Sequence, residues 1–142
     1  MRQLAALILG IALLGGGCAW RAETRPTSFA ERFSVSLGER IDVGDEPLSI
    51  GFKSVVQDSR CASDVVCIRA GEAVVQMTLS RPDQQEQKLT LATPPSSLQE
   101  HPVIRVIEGY RIELLGLEPY PRSNESMSER NYRATLIITK AS

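Results

Sequence analysis

The stretches Gln57-Asp58-Ser59-Arg60-Cys61 and Val66-Cys67-Ile68-Arg69-Ala70-Gly71-Glu72 concentrate the side chains of this sequence that have chemistry to offer. Cys61 and Cys67 are spaced to close a small loop and stand too far apart for the Cys-x-x-Cys redox motif, so a structural disulfide is the expected pairing. In the chain-entropy picture such a bond contributes about 2 kcal/mol, and it turns residues 62–66 into a rigid protrusion. Asp58 and Ser59 carry short oxygen-bearing side chains that bond neighbouring backbone and hold turns. Arg60 can pair with Asp58, Asp64 or Glu72 once the loop folds back. Ser59 has no base beside it, and no Gly-x-Ser-x-Gly elbow occurs. His101 stands without a second histidine to complete a zinc set. Asp58, Asp64 and Glu72 lack the Asp-x-Asp-x-Asp-Gly frame of a calcium loop. The expectation is a protein that is not an enzyme, with no cofactor and no metal. Its candidate binding residues are Asp58, Ser59, Arg60, Asp64 and Arg69, joined by Tyr120, an aromatic held between Pro119 and Pro121.

A disulfide needs an oxidising compartment, and the N-terminus supplies a route to one. Arg2 is followed by an apolar run from Leu4 to Leu14 and then by Gly15-Gly16-Gly17-Cys18. The run is shorter than the roughly 20 apolar residues of a membrane span, and it reads as a secretory leader. Leu14-Gly15-Gly16-Gly17-Cys18 resembles a bacterial lipobox, which implies acylation of Cys18. Leu14 stands four places before the cysteine, where such boxes usually have Leu at three. Cleavage after Ala19, with loss of Cys18, is the alternative. Acylation at Cys18 leaves Cys61 and Cys67 as an even set. The expected organisation is a lipoprotein signal peptide at 1–17, a polar membrane tether at 18–31 and one domain at 32–142. Ala19 after the cysteine resembles the pattern sorted to the outer membrane, facing the periplasm; a soluble periplasmic or secreted protein is the alternative.

The chain has 142 residues, 42% hydrophobic and 23% charged, with 16 basic against 17 acidic side chains. That balance fits a single globular domain and lacks the basic surface that nucleic-acid binding needs. Nucleic acid is not an expected partner. After the tether, apolar residues recur at every second position, the signal of half-buried strands. Strands are expected where Phe33, Val35 and Leu37 share a face, around Ile41 and Val43, from Leu48 through Ile50 and Phe52 to Val56, and from Ala73 to Leu79. Others are expected at 88–92, 103–107, 110–117 and 132–139, with Glu108-Gly109 as a two-residue hairpin turn. No amphipathic helix follows the leader. The fold class is therefore all-β: an antiparallel, immunoglobulin-like β-sandwich of seven or eight strands, with a small β-barrel as the alternative.

The sequence around the two cysteines resembles a group of small uncharacterised bacterial exported proteins and lipoproteins. Their signature reads Asp-Ser-Arg-Cys-Pro, a gap, then Cys-Ile/Val-Trp-Ala-Gly-Asn/Asp-Ala. The present chain departs from it at Ala62, Arg69 and Glu72, and Arg69 replaces an aromatic platform. The resemblance supports the compartment and the β-rich fold and brings no activity with it. The functional expectation is a lipid-anchored envelope protein, a non-enzymatic binding or structural module. It acts through the disulfide loop, with the membrane and an envelope protein as partners. A secreted protease inhibitor of immunoglobulin-like fold is the alternative.

Overall fold

The computed structural model describes residues 29–94 and 102–142. The leader, Cys18, the tether before Phe29 and His101 lie outside the described residues. The body is all-β, with eight strands: β1 (Arg32–Ser36), β2 (Arg40–Asp42), β3 (Ser49–Asp58), β4 (Ala73–Ser80), β5 (Gln87–Ala92), β6 (Ile104–Ile107), β7 (Tyr110–Glu118) and β8 (Arg133–Lys140). They form two antiparallel four-stranded sheets, ordered β1-β8-β7-β6 and β2-β3-β4-β5. This is the expected sandwich. Within each sheet the neighbours are consecutive in the chain, save that β1 closes onto β8. The likeness to immunoglobulin domains is thus one of two packed sheets rather than of Greek-key strand order. Taken around the molecule the strands follow chain order, as in an up-and-down barrel, but the ladder is broken between β1 and β2 and between β5 and β6.

Alternation places the core. Ala134, Leu136 and Ile138 of β8 are fully buried, as are Val75 and Met77 of β4 and Ile50 of β3, and they meet between the sheets. Each fully covered aliphatic side chain of this size contributes roughly 1.5–3 kcal/mol. Glu108-Gly109 makes the expected hairpin turn, with φ of 51° and 79°, the left-handed pair that a type I′ turn requires.

Strict alternation fails at three places, each for a local reason. Leu37 is 42% exposed because the chain leaves β1 after Ser36 and crosses to the other sheet through Gly38, at φ 83°. In β7 a register shift between Leu114 and Gly116 lets Leu117 point inward. In β3, shifts between Phe52 and Ser54 and between Val55 and Gln57 reset the faces, which leaves Val56 exposed and turns Asp58 inward.

The two ends of the sandwich differ. At one end, Phe29 packs edge-to-face on Tyr110, and Ala30 donates to the Ile138 carbonyl. The Tyr110 hydroxyl donates to Glu46, which also pairs with Lys140 at 2.7 Å. At the other end lie the C-terminus of β3, the start of β4, the end of β7 and the start of β8. β8 alone separates the ends by roughly 25 Å.

Candidate interaction site at the loop end

The β3 bulges deliver Asp58 into the space between the sheets, where its side chain is fully enclosed. Arg60, two residues on, donates from Nε to Asp58 Oδ1 at 2.8 Å and from Nη2 to Oδ2 at 2.9 Å, a two-pronged clamp. Arg130 Nη1 reaches Oδ2 at 3.2 Å, and the Tyr132 hydroxyl donates to the same oxygen at 2.9 Å. The arginine side chains are 4% and 6% exposed, so two buried cations share one buried carboxylate. Further donors go to main-chain carbonyls, Arg60 to Leu117 and to Pro119 at 2.8 Å and Arg130 to Glu125 at 2.8 Å, while Arg130 Nη1 also donates to the Tyr132 hydroxyl at 3.0 Å and its Nε has no hydrogen-bond partner among the described residues. Burial pushes the Asp58 carboxyl upward, but the hydrogen bonds from Arg60 and Tyr132 and the Arg60 charge outweigh it and hold the group below the ordinary carboxylate range. Burial likewise pushes the Tyr132 hydroxyl above its ordinary value.

This cluster ties the end of β3 to the segment joining β7 and β8, which leaves β7 through a cis Glu118-Pro119 peptide. The disulfide loop rests on that same segment. Cys61 and Cys67 are bonded, with Cα atoms 5.9 Å apart. Ser63 donates its backbone N–H to the Pro121 carbonyl at 2.9 Å, and Asp64 accepts from the Ser123 N–H at 3.0 Å and from its hydroxyl. Those Ser123 bonds hold the Asp64 carboxyl below its usual value. The loop's base is closed where Ser59 and Glu72 exchange backbone and hydroxyl bonds. Gly71 is required there by space. An added Cβ would lie 1.7 Å from the Ser59 carbonyl oxygen, and its backbone is not among the left-handed glycines.

The loop presents an apolar tip. Val66 and Ile68 are fully exposed on either side of Cys67, and Val65 is half-exposed. Arg69 is exposed beside them, and Tyr120 is 52% exposed with the Arg60 guanidinium 4.6 Å from its ring centroid. Hydrophobic residues this bare on a chain that otherwise buries them by alternation are an interaction signal.

The structure brings the six candidate binding residues to one end of the molecule but divides them by role. Asp58 and Arg60 have enclosed side chains. Ser59 is engaged with Glu72, and Asp64 with Ser123. Arg69 and Tyr120 face solvent. Sequence reasoning missed Arg130, the Tyr132 hydroxyl and Ser123, which lie 59 to 74 residues from their partners. It also missed the apolar tip, although Val65-Val66 and Ile68 were legible as valines and isoleucine outside any alternating run. Glu72 is buried, with neither carboxylate oxygen hydrogen-bonded among the described residues. Compared with protein-family models, with curated proteins and with solved structures, the chain finds no match.

Proposed function

We propose that this protein is a non-enzymatic binding module of the bacterial envelope, exported and held at the outer membrane by lipid on Cys18, facing the periplasm. It engages an envelope protein through the tip of the Cys61–Cys67 loop. The observation that carries this reading is the pair of fully exposed side chains, Val66 and Ile68, on a loop closed by a disulfide and docked against residues 121–123. A rigid tip loses little conformational entropy on binding, so its apolar area is converted efficiently into affinity. The polarity of the body supports the arrangement. Phe29 packs at the hairpin end and the tip lies at the other, which suits a tip that faces away from the membrane. The acid–base pair that the sequence offers, Asp58 with Arg60, is enclosed and satisfied by structural bonds, which supports a role outside catalysis.

A photo-crosslinking residue at position 66 in living cells tests the binding half. One discrete adduct is expected at 66 and none from position 108 at the opposite end, and Ile68→Ser lowers the yield. Equal adducts at both positions, or none at 66, refute it. Intact mass of the membrane fraction tests the export half: an acylated chain starting at Cys18 and lighter by the two hydrogens of the disulfide is expected. Free thiols or an intact leader refute it. The same loop is the feature that a secreted protease inhibitor would use. Inhibition of serine or cysteine proteases at micromolar protein, abolished by Val66→Ser, would favour that reading instead.

A further inference from the structure

Strand β3 is ten residues long, but its two edges are unequally covered. On one side β4 pairs with it from Ser49 to Asp58. On the other, β2 pairs only with Ser49, Ile50 and Gly51, and the turn before β2 adds the exchange of Phe52 with Gly38 and Glu39. Beyond Phe52, residues 53–57 have no backbone partner on that side among the described residues. The opposite sheet does not close the gap. The chain crosses between sheets at 37–39, and the next link across is Asp58 with Arg130 and Tyr132. Between these two ties runs an open groove of about 330 Å³, with Leu37, Val55, Met127 and Tyr132 as its apolar lining. Its cationic lining groups are Lys53 and Arg130, and among the described side chains no carboxylate lines it.

A row of unpaired backbone donors and acceptors beside an apolar trough is the geometry that strand addition uses: main-chain bonds supply affinity, and alternate side chains enter the trough. The free edge spans roughly 17 Å, enough for about five extended residues. The occupant's charge follows from the lining. Arg130 is matched by Asp58, whereas Lys53 has no ion pair among the described residues. Glu86, whose carboxyl feels Lys53 through space, is already held by Arg40 and Ser80. Lys53 is also a charged edge residue of the kind that blunts pairing with an identical strand, which disfavours a second copy of β3. The chain's own residues 19–28 carry Arg21 and Arg25 against Glu23, the wrong balance for this groove. We propose that residues 53–57 of β3 accept an extended peptide segment of another protein, with apolar residues at alternate positions and a carboxylate that meets Lys53. This site is separate from the apolar loop tip and does not depend on it.

The test uses the exported chain, ¹⁵N-labelled and purified as the cell processes it, with capped heptapeptides that alternate Val with Ser behind a leading Glu. Millimolar peptide is expected to slow amide exchange within residues 53–57 by about tenfold or more. A peptide with Pro in place of each Ser has no effect. Lys53→Glu, an exposed change that leaves the fold intact, is expected to reverse the preference between Glu-led and Lys-led peptides, by about threefold in each direction. Unchanged exchange with every peptide overturns the proposal, as does slowing confined to residues 65–68. Protection without peptide that grows with protein concentration assigns the edge to a second copy, and protection lost on deleting residues 19–28 assigns it to the chain itself. Either result also overturns it.

Discussion

Replacing Asp58 by Ala would leave two guanidinium groups and a phenol enclosed around a missing acceptor. Arg60 would keep the carbonyls of Leu117 and Pro119, and Arg130 that of Glu125, but each would lose its charge partner. Breaking a buried ion pair from one side costs about 3–5 kcal/mol, because the orphaned charge stays desolvated. For a body of this size, with a urea slope of roughly 1.5 kcal/mol per molar, a loss of about 4 kcal/mol lowers the unfolding midpoint by about 2 to 3 M. Urea titration followed by near-ultraviolet circular dichroism, disulfide intact, measures it. A second arm separates the cluster from generic damage. Asp58→Ala and Arg130→Met made together should cost less than the sum of the two single changes, by about 1–3 kcal/mol, since the double variant has fewer orphaned charges. A cost below about 1 kcal/mol for Asp58→Ala, or full additivity in the cycle, refutes the reasoning that this cluster holds the loop end together.

Three further outcomes follow from the same contacts. The folded-state pKa of Asp58 lies below its unfolded value of about 3.9, so its stabilisation is complete above that pH and is lost as pH falls through the folded value. Urea midpoints at pH 7 and pH 3 should therefore differ more in the wild type than in Asp58→Asn. Gly71→Ala places a Cβ against the Ser59 carbonyl and should cost about 3 kcal/mol, by thermal denaturation, where a tolerant surface site would show almost none. Glu72→Met removes a buried carboxylate that has no hydrogen-bond partner among the described residues, and should raise stability by about 1–3 kcal/mol at pH 7, read from the same titration.

The strands were legible because each carries an apolar residue at every second position on one face, and burial follows that period wherever the ladder is regular. Tyr132, Ala134, Leu136 and Ile138 share a side in the sequence and are all enclosed. The failures sit at bulges and crossings, at Leu37, Val56 and Leu117, where one extra residue or a change of sheet resets the faces. The disulfide could be expected from cysteine count and spacing. The Asp-Ser-Arg stretch could be recognised as a turn-holding cluster, and Asp58 does pair with Arg60. What locks that pair, Arg130 and Tyr132, could not be located, because nothing local marks which arginine of many returns to Asp58 across more than 70 residues. Tyr132 was readable only as a core residue, and its hydroxyl's role exists only after the sheets are packed. The end-to-end polarity of the body likewise comes from sheet order, which periodicity does not encode.

On these contacts one buried cluster makes two loops behave as a single rigid end. Native-state hydrogen exchange at the Ser59, Ser63 and Ser123 amides reads this coupling, because those N–H groups bond Glu72, Pro121 and Asp64 across the loop junctions. The three amides should be protected together in the wild type, and in Asp58→Asn all three should lose protection together while the β8 core amides stay slow. Independent exchange of the three in the wild type, or protection that survives in the variant, would contradict it.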